Sequence, residues 1–271
     1  MEIIENLDEW RRRYAYWLKD QGGISRDGDV GESYPFVINK RAPFVPVRRA
    51  LSMLSLALIS SAGAYLDGTE PFDIHAAGGD VNFREIPIEI EAEDLRFAAR
   101  GYDPTAVQQD INVQLPLNRL CEFEANRIIG QLNQVFWSFC GFIPDAARLV
   151  EETVPRLIER VKRHDVQAAL LIPASRLCHQ SVSLVARGLE QAGLPTMTLA
   201  VARDIVEDVR PPRAACYNGQ IGNVVGKPGW PEYQRRVLDE ALRLIEPMDQ
   251  PGVYQLAADL ESQVEKQRGE R

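Results

Sequence analysis

Apolar side chains recur along this chain with two different periods. Between residues 3 and 20 they fall at Ile3, Leu7, Trp10, Tyr14, Trp17 and Leu18. A spacing of three or four predicts an amphipathic helix, packed on the body of the protein or on a second subunit. Residues 21 to 50 are rich in Gly, Pro and Arg, including "APFVPVRR", and predict an extended, irregular arm. "LSLALISS" then predicts a buried strand, about Leu54 to Ile59, that opens into the small-residue loop Ser60 to Gly63. "DVNFREIPIEI" and "LRFAARGYD" predict two further extended pieces, the second ending at Tyr102 and Asp103.

After Leu115 the two periods alternate. "LPLNRLCEFEANRIIG" predicts a helix stopped by Gly130, "QVFWSFCG" a strand, and Pro144 to Arg163 a helix. "VQAALLIP" is a strand, Cys178 to Gly193 a helix, "PTMTLAV" and "RAACYN" strands, and Pro231 to Glu246 the last long helix. Strand and helix alternating at this length imply right-handed crossovers. The fold class is therefore α/β, a parallel sheet in Rossmann or flavodoxin-like layers with helices on both faces. We divide the chain into an N-terminal helix and arm (1–50), an α/β catalytic domain (51–250) and a C-terminal tail (251–271) with a short helix expected after Pro251.

Composition narrows the function classes. With 271 residues, 45% of them hydrophobic and 26% charged, the chain reads as an ordinary globular protein. Its net charge of -8 argues against nucleic acid or an anionic membrane as the principal partner. The longest apolar runs, about ten residues, are too short to span a bilayer. The start "MEIIENLDEWRRRYAYWLKD" lacks the pattern of a signal peptide. Four cysteines without a CxxC read as free thiols in a reducing cytoplasm. The apolar N-terminal helix and Trp10, Trp17 and Trp137 lead us to expect a homo-oligomer acting on a small molecule.

In parallel α/β sheets, ligands bind beyond the carboxyl ends of the strands. There the sequence places Ser60, Ser61, Gly63, Tyr102, Asp103, Cys140, Ser175, Cys178 and His179. With Ser175 as the N-cap, Cys178 falls in the first helical turn, where the dipole and unpaired amides favour a thiolate nucleophile. His179 offers a proton donor, although adjacent helical residues point about 100° apart. Cys140, beside Gly141, is the second candidate thiol. Such a pair suits dithiol reduction, two-base proton transfer, or covalent attack assisted by the second thiol. Cys121 reads as a core residue within a helix, and Cys216 lies just short of a strand end. Arg84 or Arg100 is the candidate for holding a substrate carboxylate. His75, His164 and His179 are too scattered to predict a metal, and no cofactor is expected. "NGQIGNVVGKPG" fails the phosphate-loop pattern, since Lys227 is followed by Pro, and reads as a shaped loop over the strand ends, a candidate lid.

The segments "LALISSAGAYLDGTEPFD", "DVNFREIP", "RGYDPTAVQQDINVQLPLNRL" and "IPASRLCHQ" occur in this order. Through them the chain, from about Ala42 to Pro231, resembles the selenoprotein B subunits of glycine, sarcosine and betaine reductase and the related D-proline reductase subunit. The resemblance implies reductive C–N cleavage in a small amino acid or betaine, with a selenocysteine in the loop after the strand matching "AALLIP" attacking the substrate. Here Ala174 and Ser175 stand near where it would fall, and Cys178 is the chalcogen left in that loop. For such a selenocysteine-free member we expect redox-neutral C–S cleavage, a desulfhydrase releasing sulfide from a thiocarbonyl heterocycle such as a thiohydantoin. The alternatives are a dithiol-dependent reductase of C–N bonds and a non-catalytic binding subunit.

Overall fold

The computed structural model describes residues 2–20 and 30–258. The strands are β1 (Ser55–Ser60), β2 (Ala64–Leu66), β3 (Phe83–Pro87), β4 (Leu95–Phe97), β5 (Gln131–Leu132), β6 (Val135–Phe139), β7 (Ala168–Ile172), β8 (Thr196–Ala200), β9 (Arg213–Cys216) and β10 (Gly252–Gln255). The helices are α1 (Leu7–Asp20), α2 (Thr105–Gln109), α3 (Leu117–Ala125), α4 (Ala146–Arg148), α5 (Val154–Arg163), α6 (Arg176–Gln191), α7 (Arg203–Val209) and α8 (Pro231–Arg243).

One sheet runs in the order β10-β9-β8-β7-β1-β6-β3, with β5 pairing on β1 ahead of β6. All of these pairs are parallel except β3 with β6. The α/β class with helices on both faces is as expected. Strands β7, β8 and β9 are buried at every residue, which is why they read as unbroken apolar runs. The parallel strands occur along the chain as β1, β6, β7, β8, β9, β10, yet β6 lies on one side of β1 and the other four lie on the opposite side. This is the flavodoxin-like order, and the winding reverses between β1 and β7. Ile59, Trp137 and Leu171 pack under α5, α6 and α7, while Leu58, Phe136 and Leu170 pack under α3 and α8. Between β1 and β6 the chain inserts the antiparallel pair β2–β4.

The aromatic stripe of α1 turns inward onto its own body. Trp10 and Tyr14 stack at 5.0 Å, and Trp17 meets Tyr34 edge-on at 5.2 Å. Two buried arginines fasten the arm. Arg187 donates to the carbonyls of Ile3 (2.7 Å), Arg41 (2.7 Å), Arg210 (2.9 Å) and Glu2 (3.1 Å). Arg213 pairs with Glu190, and Glu190 also accepts from the backbone of Val45 and Thr196. Burial pushes the Glu190 carboxyl up, against the pull of Arg213 and these donors.

Several expectations are corrected. The chain after Pro251 forms β10, a parallel edge strand on β9, where a helix was expected. The rest of the expected tail, from 259, lies outside the described residues. The helix expected from Pro144 begins at Ala146 and widens into a π turn at Leu149–Thr153. Pro155 lacks an N–H and its ring crowds the carbonyl four residues back, which disfavours regular α pairing there. Cys121 is exposed rather than in the core, because α3 buries Leu117, Leu120 and Phe123 instead. Among the described residues no helix is long and apolar enough to cross a membrane.

Arg187→Met removes the donor from four carbonyls. We expect a loss of about 3 kcal/mol or more, read by chemical denaturation, with faster limited proteolysis before Ala50. An unchanged midpoint would show that the arm does not depend on this side chain.

Candidate functional site

The site lies where β1 and β7 part. Their register ends at Ser60 opposite Ile172. The Ser61 N–H donates to the Ile172 carbonyl (3.1 Å), and its hydroxyl accepts from the Ala174 N–H (3.0 Å). Its carbonyl accepts from the Gly141 N–H (3.1 Å). Ser175 caps α6, its Oγ accepting from the Cys178 N–H at 3.0 Å. Cys178 is thus the third residue of α6, at the positive end of the helix dipole. Its Sγ lies 3.8 Å from the Ser61 carbonyl.

Cys140 follows β6 and bridges Ala62. Its thiol donates to the Ala98 carbonyl at 3.5 Å. Ala62 and Ala174 also pack against Cys178, so both thiols flank the same short stretch after β1. Both are buried, Cys178 at 1% and Cys140 at 3% exposure. Burial, and next the charge of Cys178, push the Cys140 thiol up to about 12. Gly141 lets the two chains meet, because a Cβ there would come within 2.9 Å of the Cys178 Sγ. Gly63, at φ +69°, continues the loop, and a Cβ there would stand 2.5 Å from the Ala98 oxygen.

Tyr102 packs against Ala62, Ala174 and Cys178 and donates its hydroxyl to the Ala62 carbonyl at 2.7 Å. Burial raises this phenol well above its usual value, and the nearby Cys178 and Cys140 raise it further. The glycine-rich loop lies across the strand ends, as expected. The Gly222 N–H donates to the Ala174 carbonyl (2.9 Å), and a Cβ on Gly222 would lie 3.0 Å from the Asp103 oxygen.

Other candidates are placed differently. The His179 Nε2 accepts from the N–H groups of Val201 (3.0 Å) and Ala202 (3.2 Å), and its Nδ1 is 2.7 Å from the Ser175 carbonyl. The ring is therefore neutral with the proton on Nδ1, and neither nitrogen is free to serve a thiol. Burial lowers its pKa to about 4. Arg84 lies on antiparallel β3, beyond β6. Its guanidinium stacks on Phe72 (4.5 Å) and donates to the Glu70 carbonyl. Asp103 is exposed and caps Thr105, whose hydroxyl and N–H hold its carboxylate below the usual range. Ser60 turns its hydroxyl to the Ala62 N–H (3.3 Å). Arg100 is the cation near the thiols. It packs on Phe142 (4.7 Å) and donates to the Ile74 carbonyl. Gln114, fully buried after the turn Ile111–Val113, was missed. A lone polar residue between two loops carries no sequence signal of burial.

The sequence model of the glycine/sarcosine/betaine reductase selenoprotein B family matches residues 32–174. The chain is 29% identical over 200 residues to the D-proline reductase subunit gamma of Acetoanaerobium sticklandii, covering 74% of this chain and 81% of that one. It is 25% identical over 218 residues to the glycine reductase complex component B subunit gamma of Symbiobacterium thermophilum, covering 77% and 49%. To the subunit of the same name in Carboxydothermus hydrogenoformans it is 24% identical over 251 residues, covering 84% and 56%. The chain thus spans only about half the length of the two glycine reductase relatives. No solved structure matches it. These relatives are named as reductase subunits, which overturns the expectation of a redox-neutral desulfhydrase. On the match over residues 32–174, the chain belongs to the glycine/sarcosine/betaine reductase selenoprotein B family.

Proposed function

We propose that the chain is the thiol-bearing subunit of a dithiol-dependent reductase complex that cleaves a C–N bond in a small amino-acid-like substrate. The observation that carries this reading is the placement of Cys178 in the first turn of α6 with Cys140 across Ala62, at the point where the sheet reverses its winding. The names of the relatives support the reaction class and assembly with further subunits.

The Cys178 thiolate attacks the carbon that bears nitrogen. A C–S bond forms, the C–N bond breaks, and the nitrogen leaves as a neutral amine with the bonding pair. Cys140 then attacks the sulfur of Cys178. An S–S bond forms, the C–S bond breaks, and the carbon takes the pair together with the Cys140 proton. The carbon has gained two electrons and the two thiols have lost two, which an external dithiol restores. Burial keeps Cys140 protonated until that second step. Tyr102 and Ser61 shape the space beside Cys178, and Arg100 sets a positive charge near Cys140.

With dithiothreitol as the reductant, Cys178→Ser should abolish C–N cleavage by several orders of magnitude. Cys140→Ser should stop after the first step and accumulate a thioether, seen as an intact-mass adduct on Cys178. Cleavage by Cys178→Ser at the wild-type rate would overturn the mechanism.

His179 has a separate signature. Its folded pKa, about 4, lies below the ordinary 6.5. The folded state therefore binds fewer protons between these values, and stability present above pH 6.5 is lost as pH falls towards 4. The drop is about 3 kcal/mol at 1.36 kcal/mol per unit. Thermal melts from pH 7 to 4 should show it, and His179→Gln should flatten it. An unchanged slope in that variant would show that another group titrates.

A further inference from the structure

Gln114 is fully buried, and neither its Oε1 nor its Nε2 has a hydrogen-bond partner. Buried side-chain amides are nearly always bonded, so a wholly unpaired one calls for an explanation. It ends the short turn Ile111–Val113 and precedes α3. That helix belongs to the crossover leaving β1, so its N-terminus stands at the carboxyl edge of the sheet. The Val113 carbonyl beside it accepts from the Val225 N–H at 3.0 Å. Three residues earlier in the lid, the Gly222 N–H is bound to the Ala174 carbonyl. Between these two anchors lies Asn223, 9% exposed, whose Oδ1 is also buried and unbonded. Its Nδ2 reaches the Gln220 Oε1 at 3.4 Å. Two unpaired amide oxygens and one unpaired amide nitrogen thus belong to the two backbone stretches that join above the switch point.

We propose that Gln114 and Asn223 select the substrate by its nitrogen, accepting a primary or secondary ammonium beside a carboxylate and refusing a quaternary ammonium. The inference rests on the reading of this site as the place of C–N cleavage. Two orphaned oxygens require two N–H donors, which a primary or secondary ammonium supplies. The orphaned Nε2 requires an acceptor, which a carboxylate oxygen supplies. A quaternary ammonium has no N–H, so it would leave both oxygens buried and unpaired. Sites built to hydrogen-bond a ligand group discriminate strongly against analogues that lack it.

Calorimetric titration of the full chain with glycine, N-methylglycine, proline and trimethylglycine tests this without any chemistry. We expect at least one of the first three to bind, and trimethylglycine to bind about tenfold more weakly or worse. Gln114→Leu should erase that preference, weakening the amine ligand by about tenfold or more. Its melting temperature should equal or exceed that of the wild type, because an unpaired amide has been removed. Trimethylglycine binding as tightly as N-methylglycine, wild-type affinity in Gln114→Leu, or no binding of any of the four would overturn the proposal. Selective binding without dithiol-dependent cleavage would leave this inference standing and remove the reductase reading. Cleavage with an unchanged KM in Gln114→Leu would do the reverse.

Discussion

Ser61 is the node on which the site depends. One residue past the end of β1, it bonds Ile172 and Ala174 on one side and Gly141 on the other. Those bonds hold together the two segments that carry Cys178 and Cys140. They exist because β1 sits between β6 and β7, the neighbours that follow it in the chain but lie on opposite sides of it. A parallel sheet must leave a gap where its winding reverses. Here the gap is narrowed by small residues, with Ala62, Gly63, Gly141 and Ala174 where larger side chains would force the chains apart. The thiols therefore lie inside the protein, held by backbone contacts on both sides.

The polar interior follows from the same architecture. Helix α6 is buried along nearly its whole length, so its polar residues must find partners within the protein. His179 ties its start to the loop after β8, Gln180 reaches the Tyr34 hydroxyl (2.9 Å), and Arg187 and Glu190 secure the arm. The arm covers a helix that would otherwise expose charged groups in an apolar layer. This is why the N-terminal aromatic residues serve the chain's own core.

How much of this was legible follows physical lines. Buried parallel strands announce themselves as apolar runs, and the N-cap at Ser175 was readable because capping is local. Cys178 was placed by those two facts alone. The role of His179 was not, since its ring is committed to amides 22 and 23 residues away. Arg84 was named only for its charge near the cleft; antiparallel β3 sets it opposite Ser138, and its guanidinium goes to Phe72 and the Glu70 carbonyl, contacts that no sequence pattern announces. The seven residues of α7 are too few and too charged to show a helical stripe. The edge strand β10 looked like a tail because one paired side leaves little pattern.

Closure and reactivity are linked at this site. Both thiols are buried beneath the glycine-rich loop's anchor at Ala174, so neither is open to solvent. The loop is anchored by Gly222 to Ala174, Val225 to Val113, the Tyr217 hydroxyl to the Val224 carbonyl, and Gly229 to the Asp110 carboxylate, and Val224 and Val225 are buried in the core. Gly222 and Gly226, at φ +87° and +119°, flank its buried turn and take conformations that other residues resist. Opening the loop must break these bonds, at about 1 kcal/mol each, and also draw Val224 and Val225 out of the core. The unpaired amides at Gln114 and Asn223 offset part of that cost, because opening lets water reach them. On the proposal above, a ligand that satisfies those amides would favour the closed loop. Access to the thiols, which the proposed reductive cycle needs, therefore costs the burial of Val224 and Val225 as well as the loop's hydrogen bonds.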